Sequence, residues 1–500
     1  MSMKFLLFGT GDYYNRYKKW FENQNVIALL DNSEYKKHTM IDGLTVLTPE
    51  EGIKLEYDII VILSFYVKQM RWQLMELGVE HWRIVHFYEL RQLLGKSRMR
   101  RQVQYFQNAK EVIRSIQELK SGIVLLSHDL TMGGPAIALF HAAVVLKTRG
   151  YAVVFASMLD GPLRDELQKK GIPVIVDENL QIATMQETAW MNAFSLIICN
   201  TLNFYVFLSE RDTNIPVIWW LHDARFFYDG VNRETIGKIS LEKLTAVSVG
   251  PIPAVAISEF LPGVRCSCLL YGVEDAALRD TEVYAAGNRR TSSEKVQFII
   301  IGFLEDIKGQ DILVQSVQIL PEYIRNQCVF YIVGHDKTLF GEKIHKESET
   351  IREINFTGTV GRQELHRILR ESEVLICPSR QDSMPTVAAE AMMHSVPCIV
   401  SDVVGTAAYI HDGEEGWKFP SEDAYALAGR IEWCVENKVK LNRMGRKARM
   451  LYEKEFSMQV FEKRFMDIIQ EMLGVSDRSR SVGIMVDTDS RDRRECDISE

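Results

Sequence analysis

Residues 374–402 read VLICPSRQDSMPTVAAEAMMHSVPCIVSD, and this stretch contains the pattern that decides the fold. A short apolar run, VLIC, ends in the polar loop that begins at Pro378, and an alanine-rich stretch typical of a helix leads to a second apolar run, CIV. Short apolar strands that alternate with helices predict a parallel sheet covered by helices.

The same alternation extends outward over most of the chain. It predicts an α/β protein with two facing doubly wound, Rossmann-like domains and an additional N-terminal Rossmann-like domain. The expected segments are an N-terminal domain at 1–90, a basic helical linker at 91–120, doubly wound domains at 121–284 and 295–456, a helix at 457–473 and a disordered tail at 474–500. Two facing sheets place the carboxyl ends of their strands around one cleft, where we expect the chemistry to lie.

Composition excludes several classes of protein. The 500 residues are 46% hydrophobic and 25% charged, which is typical of globular domains rather than of disordered or fibrous chains. The net charge of −8 provides no overall basic field, so no nucleic-acid partner is expected. Eight cysteines without a Cys-x-x-Cys pair indicate a reducing compartment, and the absence of a signal peptide or of a long apolar span predicts a cytoplasmic, soluble or peripheral protein.

Two groups of residues suggest chemistry at the predicted cleft. Lys308 and Gly309 stand in a loop that leads into a helix, where an ammonium group and close backbone approach suit a diphosphate, although many such pairs are simple turns. Asp382 lies in a loop and Glu390 eight positions later in a predicted helix, so both carboxylates can face one crevice and accept hydrogen bonds from sugar hydroxyls. The alternative is a helix-capping Asp followed by a solvated Glu.

These segments, taken in order, resemble a known family. GFLEDIKGQDILVQSVQILP, FYIVGHD, INFTGTVGRQELHRILRESEVLICPS and DSMPTVAAEAMMHSVPCIVSDVVGTAAYI resemble the donor domain of glycosyltransferase family 4, which has the GT-B fold. Upstream, SHDLTMGGPAIALF resembles the glycine loop of the family, WWLHD its acceptor-side histidine, and AVAISEF with LLYGVED its link into the donor half. The resemblance covers about residues 121–473.

The resemblance implies a role for each matching residue. Gly133 and Gly134 form the loop that approaches the donor diphosphate, and Lys308 is its positive clamp. Asp382 stands where the first acid of the Glu-x7-Glu pattern contacts the transferred sugar. The other two matching positions are Glu390, where the second acid binds the nucleotide ribose, and His222, which lies by the reacting sugar.

The sequence also departs from the family pattern. The first acid is Asp382 rather than Glu, and Pro385 replaces a common glycine, so its backbone cannot donate a hydrogen bond. The backbone N–H groups of Met384, Thr386 or Val387 are expected to serve instead. The Arg that often accompanies the clamp lysine is absent, and the candidates to replace it are Arg380 and Arg265.

By this resemblance, the chain is expected to be a retaining glycosyltransferase that uses a nucleotide sugar, with no metal and no other cofactor. A donor phosphate oxygen accepts the proton of the acceptor in such a reaction, and His222 binds the sugar. The expected acceptor is a growing surface polysaccharide or a lipid-linked oligosaccharide. Two alternatives stay open: a silent relative that stabilises a partner transferase, and a sugar phosphorylase or epimerase of the same fold.

The N-terminal segment and the linker carry separate predictions. FGTGDYY, followed by Asp31, resembles the small Rossmann-like domains that precede some sugar acetyltransferases, but Tyr14 replaces the third glycine of the Rossmann pattern. Either a small ligand or a docking role fits it. The basic stretch 96–114 predicts binding to an anionic membrane surface, with a solvated linker helix as the alternative; its cations are Lys96, Arg98, Arg100, Arg101, Lys110 and Arg114.

Overall fold

The chain forms three mainly parallel β-sheets in the computed structural model. The structure describes residues 3–64, 66–86, 89, 103–119, 122–183, 186–276 and 295–474. Strands and helices alternate throughout, which confirms the predicted fold class of two facing doubly wound domains with an extra N-terminal α/β domain. The predicted disordered tail, apart from Gly474, lies outside the described residues, as do residues 90–102 and 277–294.

The N-terminal sheet has the strand order β3-β4-β2-β1-β5-β6, and only the β3–β4 pair is antiparallel. The chain first builds one side of β1 and then crosses to β5 on the other side. The carboxyl ends of β1 and β5 therefore flank the crevice where sheets of this kind bind ligands. The strands are β1 (Lys4–Phe8), β2 (Asn25–Leu30), β3 (Met40–Ile41), β4 (Leu44–Leu47), β5 (Ile59–Ile62) and β6 (Ile84–His86).

The second sheet has the order β14-β13-β12-β11-β8-β9-β10-β7 and is parallel except at its edge strand β7. Strands β9 and β10 lie on one side of β8, and strands β11 to β14 lie on the other side, so the strand order reverses between β8 and β11. At this reversal point the loops after β8 and β11 lie next to each other. The strands are β7 (Val103–Phe106), β8 (Ile123–Ser127), β9 (Val153–Ser157), β10 (Val174–Asp177), β11 (Leu196–Asn200), β12 (Val217–Leu221), β13 (Leu244–Ser248) and β14 (Cys266–Cys268).

Strand β7 corrects the prediction of a helical linker at 91–120. Residues Val103–Phe106 pair antiparallel with β10. The edge of β10 offers unpaired backbone groups, and the sequence VQYF contains the β-branched and aromatic residues that favour a strand. Only the following segment, Ala109–Leu119, is helical among the described residues of this stretch.

The third sheet has the order β17-β16-β15-β18-β19-β20 and is parallel throughout. Strands β16 and β17 lie on one side of β15, and strands β18 to β20 lie on the other side. The reversal point of this sheet is therefore between β15 and β18, and it brings together the two loops that carry Lys308 and Asp382. The strands are β15 (Val296–Ile301), β16 (Cys328–Val333), β17 (Ile354–Gly358), β18 (Val374–Cys377), β19 (Cys398–Ser401) and β20 (Gly416–Phe419).

Helices connect the strands and cover the sheets. In the N-terminal and second domains they are α1 (Asp12–Tyr17), α2 (Pro49–Gly52), α3 (Val67–Glu76), α4 (Ala109–Leu119), α5 (Gly134–Thr148), α6 (Leu163–Lys169), α7 (Tyr205–Ser209), α8 (Arg233–Gly237) and α9 (Pro251–Phe260). In the third domain they are α10 (Gln310–Ile319), α11 (Glu322–Arg325), α12 (Leu339–Ser348), α13 (Arg362–Glu371), α14 (Thr386–Met393), α15 (Ala424–Glu436), α16 (Lys438–Leu451) and α17 (Met458–Leu473).

Helix α17 joins the two large domains. Ser457 caps its first turn by accepting a hydrogen bond from the backbone N–H of Val460. The helix then packs on the second sheet, where the ring of Trp220 stacks on Phe461 with centroids 5.6 Å apart and on Phe465 at 6.5 Å. One continuous apolar core therefore spans both domains and holds the cleft between them in place.

Candidate active site

Lys308 and Asp382 form an ion pair at the reversal point of the third sheet. Lys308 ends the 3-10 turn Asp306–Lys308 after β15, and Asp382 lies in the loop after β18. The Lys308 Nζ and Asp382 Oδ2 atoms are 2.7 Å apart. Burial disfavours the ammonium group, but the charge and hydrogen bond of Asp382 outweigh it and raise the pKa of Lys308. Lys308 is therefore a charged group that faces the cleft.

Gly309 allows this turn to lie close to the neighbouring loop. Its backbone has a φ of 70°, a conformation that favours glycine, and a Cβ atom there would collide with the carbonyl oxygen of Pro378. Packing alone therefore accounts for the glycine of this pair.

The glycine loop of the second domain faces the start of a donor-side helix. Gly133 precedes α5, and a Cβ atom on Gly134 would lie 3.4 Å from the Cγ2 atom of Thr386 in the first turn of α14. Asp129 supports the loop by accepting hydrogen bonds from the backbone N–H and the hydroxyl of Thr131, at 3.2 and 2.9 Å. Two helix N-termini, each with free N–H groups and a positive dipole end, meet at this point.

Some residues around Pro385 have backbone N–H groups that are available to a ligand, and others pack in the core. Pro385 stands at the N-cap of α14, so Thr386 and Val387 are its first helical residues and have backbone N–H groups without an acceptor in a preceding turn. The Met384 side chain is buried and packs close to Gly250 and Gly405. A donor site can therefore draw on the N–H groups of Thr386 and Val387, while the Met384 side chain fills the core.

Glu390 lies on α14, where burial raises its pKa. It and Asp382 both act on Tyr271, a residue that the sequence analysis did not select although it lies in the LLYGVED motif. Burial and the charges of Asp382 and Glu390 raise the pKa of Tyr271 well above its ordinary value. Its hydroxyl is buried and has no hydrogen-bond partner among the described residues. Tyr271 is therefore a buried hydroxyl within the electrostatic influence of both carboxylates.

His222 follows strand β12 directly and belongs to the second domain. Its ring lies 4.8 Å from that of Trp220, and its Nε2 atom is buried without a partner in the part of the chain that the structure describes. Burial, and to a smaller extent His128, lowers the pKa of His222 to about 3. The imidazole is therefore neutral near pH 7 and suits hydrogen bonding better than proton donation.

The carboxylate of the next residue, Asp223, forms a hydrogen bond within the second domain. Its Oδ2 atom accepts a hydrogen bond of 2.6 Å from the backbone N–H of Leu202. The loop after β8 lies close by, because the His128 ring contacts both Asp129, at 3.4 Å, and Thr201, at 3.4 Å. The sequence analysis missed His128, and its place after a strand at the reversal point of the sheet was the available signal.

Arg380 does not take the place of the missing phosphate-binding arginine. Its guanidinium donates to both carboxylate oxygens of Asp311, at 3.0 and 2.8 Å, and to Glu422 at 3.0 Å. Arg265, the other candidate, is exposed just before β14. Of the three predicted cations, Lys308 is the one that pairs with Asp382 in the described structure.

The described residues contain neither a metal-binding cluster nor a membrane-spanning helix. No cluster of three or more His, Cys, Asp or Glu side chains is placed to hold a metal ion in the described ranges. No helix within those ranges combines the length and the apolar character needed to cross a bilayer.

Family models match each of the three domains. Residues 287–450 match Glycosyl transferases group 1, residues 120–246 match Glycosyl-transferase family 4, and residues 1–85 match C2185-like, N-terminal. The first two matches confirm the predicted glycosyltransferase resemblance, and together they include most of the residues of the Lys308 and glycine-loop regions described above.

Individual proteins show the same relationship. Spore coat protein SA of Bacillus subtilis is 22% identical over 68% of this chain and 95% of its own length. The Uncharacterized 41.2 kDa protein in cps region of Klebsiella pneumoniae is 31% identical over 26% of this chain, but the chain spans only 34% of that protein. The structure of Anabaena HepE in complex with UDP-glucose shares the fold, with a TM-score of 0.57 at 15% identity over 70% of this chain and 99% of HepE. The chain therefore carries a glycosyltransferase family 4 domain followed by a glycosyl transferases group 1 domain, and the two adopt the GT-B fold.

Proposed function

We propose that this protein transfers a sugar, with retained configuration, from a nucleoside diphosphate sugar to a growing polysaccharide or lipid-linked oligosaccharide. The observation that carries the proposal is the Lys308–Asp382 ion pair at the reversal point of the third sheet. HepE, which shares the fold, is described in complex with UDP-glucose, and this supports a uridine nucleotide as the first donor to test. The two curated relatives are named for a spore coat and a cps region, which supports an acceptor in a surface structure.

In this proposal the diphosphate lies between the two domains. The ammonium group of Lys308, the N–H groups of Thr386 and Val387, and the loop at Gly133 and Gly134 surround its negative charge. As the bond between the sugar and the diphosphate breaks, negative charge grows on the leaving oxygen. A preorganised cation and helix N-termini stabilise this charge more than that of the ground state, which accelerates the reaction.

The transferred sugar then lies between Asp382, released from Lys308 when the diphosphate takes its place, and the neutral imidazole of His222. Glu390 binds the ribose of the nucleotide. The acceptor hydroxyl attacks from the side of the leaving group, and a phosphate oxygen takes its proton, so the configuration is retained. This scheme requires no metal and no further cofactor.

The decisive experiment incubates the full-length protein with UDP-glucose and follows product release and anomeric configuration by NMR. We expect UDP and an α-configured product, with the same rate in EDTA and without inorganic phosphate. Dependence on phosphate would identify a phosphorylase. No turnover with any of a set of UDP-, GDP- and ADP-sugars would favour the silent relative, and loss of activity in EDTA would contradict metal-free transfer.

The two acidic residues should respond differently to substitution. Glu390→Ala should weaken binding of both UDP and UDP-glucose about tenfold to a hundredfold, because it removes a charged hydrogen-bond partner of the ribose. Asp382→Asn should instead lower kcat and leave UDP binding near wild type, since its proposed contact is with the sugar. Calorimetric titration with UDP and with UDP-glucose checks both, and Glu371→Ala on exposed helix α13 serves as the control. Equal losses of UDP affinity in both variants would contradict the separation of roles.

We also propose peripheral membrane association through the basic stretch 96–114. Lys96, Arg98, Arg100 and Arg101 lie outside the described residues, while Lys110 and Arg114 are exposed on α4, whose apolar side is buried through Ile113 and Ile116. Each basic residue near an anionic surface contributes about 1 kcal/mol. Sedimentation with anionic vesicles should show binding that is lost in high salt and in the triple variant with serine at positions 98, 100 and 101. Binding that is absent or insensitive to both changes would leave this stretch a linker.

A further inference from the structure

The ligand crevice of the N-terminal sheet is filled by the second domain. Tyr13, in the first turn of α1, is buried among residues of the second domain, and Val67 at the start of α3 packs against Gly230. The cavity that remains has a volume of about 30 Å³ and is lined by Tyr13, Ser64, His86, Asn203 and Asp223, among others. A nucleotide needs a pocket of roughly 300 Å³ or more. This edge of the sheet is therefore a docking surface in the described structure.

Asp31, which stands where dinucleotide-binding domains have an acidic residue, is engaged by groups of its own domain. Asp31 accepts hydrogen bonds from the backbone N–H groups of Thr10, at 3.1 Å, and Ser33, at 2.9 Å, and pairs with Lys36 at 3.3 Å. These contacts hold the glycine turn after β1 together. At this crevice the described contacts favour the docking role over a bound nucleotide.

Tyr66 lies where the docked domain meets the active-site cleft. It stands at the start of α3, and its ring centroid is 5.9 Å from that of Phe226 in the second domain. Phe226 follows His222 by four residues, and its backbone N–H donates to the side chain of Gln381, next to Asp382. This pair of rings is therefore connected to the loops that carry both proposed sugar contacts.

The third domain reaches the Tyr66–Phe226 pair through the hydrogen bond from Phe226 to Gln381. Burial and then the charges of Glu305 and Asp306, which precede Lys308 by three and two residues, raise the pKa of Tyr66. Tyr66 is therefore held at a contact between domains, and 57% of its surface is exposed. An aromatic ring that is held in place at a cleft and still accessible is available to a ligand.

We propose that Tyr66 of the N-terminal domain, together with Phe226, binds the acceptor by packing against the face of one of its sugar rings. The inference rests on the proposed function, because the cleft must hold a donor for an acceptor to approach. A sugar presents C–H groups on one face and hydroxyls at its edge, which suits an aromatic ring with a polar tip. Neutral sugars present this C–H face without a charge, so they are the first acceptors to test.

The test compares Tyr66→Ala and Tyr66→Phe with wild type, using UDP-glucose and the p-nitrophenyl glycosides of glucose, galactose, N-acetylglucosamine and glucuronic acid. Tyr66→Ala should raise the KM for the neutral glycosides about tenfold, as expected for loss of an aromatic contact and the area it buries. Tyr66→Phe should stay close to wild type. The KM for UDP-glucose and its slow hydrolysis should not change, and neither should the thermal unfolding midpoint. Tyr35→Ala is the matched control, since Tyr35 is 85% exposed in the same domain.

The outcomes separate this inference from the proposed function. An unchanged glycoside KM in Tyr66→Ala overturns the inference, as does an equal loss in donor hydrolysis, which would mean that Tyr66 only holds the domains together. A wild-type protein that hydrolyses UDP-glucose but uses none of the glycosides also overturns it. A protein that hydrolyses no nucleotide sugar fails the proposed function itself.

Discussion

Replacement of Lys308 by alanine should lower kcat/KM for the donor about 100- to 1,000-fold, which is the range found when one preorganised group that stabilises a developing oxyanion is removed. The reason is geometric, because Lys308 is the cation at the reversal point of the third sheet and Arg380 is already held by Asp311 and Glu422. Steady-state kinetics with the nucleotide sugar identified for the protein provide the measurement. Lys343→Ala, an exposed lysine of the same domain, is the control and should retain full activity.

A loss of activity caused by a destabilised loop can be distinguished from one caused by the missing positive charge at the diphosphate. Removing Lys308 leaves Asp382 without its partner in a largely buried position, and this alone can destabilise the loop. The double variant Lys308→Ala with Asp382→Asn removes both charges. If it regains the thermal stability of wild type but binds UDP more weakly than Asp382→Asn alone, the lysine acts on the diphosphate. Wild-type activity in Lys308→Ala would remove the basis of the site.

Replacement of Trp220 by alanine should reduce the free energy of unfolding by about 3–5 kcal/mol, the usual cost of deleting a large buried aromatic side chain. Trp220 has no exposed surface, and its indole N–H donates a hydrogen bond of 3.0 Å to the carbonyl of Leu269. The variant leaves a cavity under Phe461 and Phe465 and an unpaired carbonyl group. Urea denaturation followed by circular dichroism measures the loss.

Helix α17 provides the internal check on that prediction. Because Trp220 contacts this helix through Phe461, the single variants Trp220→Ala and Phe461→Ala should not be additive in the double variant. The control is Trp82→Ala, since Trp82 is 66% exposed and its loss should change the stability by less than about 0.5 kcal/mol. A loss below about 1 kcal/mol in Trp220→Ala would contradict the proposed joining role of the helix.

Local sequence was sufficient to predict the elements of the fold. Apolar runs of four to six residues such as VLIC and VQFIII became β18 and β15, because burial of both faces of a parallel strand demands continuous apolar side chains. The helix at 457–473 was predicted from its apolar period and is α17, residues Met458–Leu473. Residues 103–106 were assigned incorrectly, since an edge strand depends on a neighbour that lies about 70 positions away in the chain.

The candidate site was only partly accessible from sequence. The residue types and the order of the motifs selected Lys308, Asp382, Glu390, His222 and the glycine loop. They could not show that Lys308 pairs with Asp382, because the two are separated by 74 residues and meet only through the strand order of the third sheet. Tyr271 was missed because a single Tyr carries no local signal of the charges around it, and His128 was missed although it follows a predicted strand.

The three α/β units and their order follow from the sequence, because strand and helix formation depends on hydrophobic periodicity over short distances. The ordered motifs of the second and third units carried the resemblance to a family. The tertiary structure alone decided which loops share a cleft, that the N-terminal crevice is filled by the second domain, and that Tyr66 lies beside Phe226. Such placements depend on complementary packing between surfaces that are distant in the chain, and no local pattern of residues encodes that complementarity.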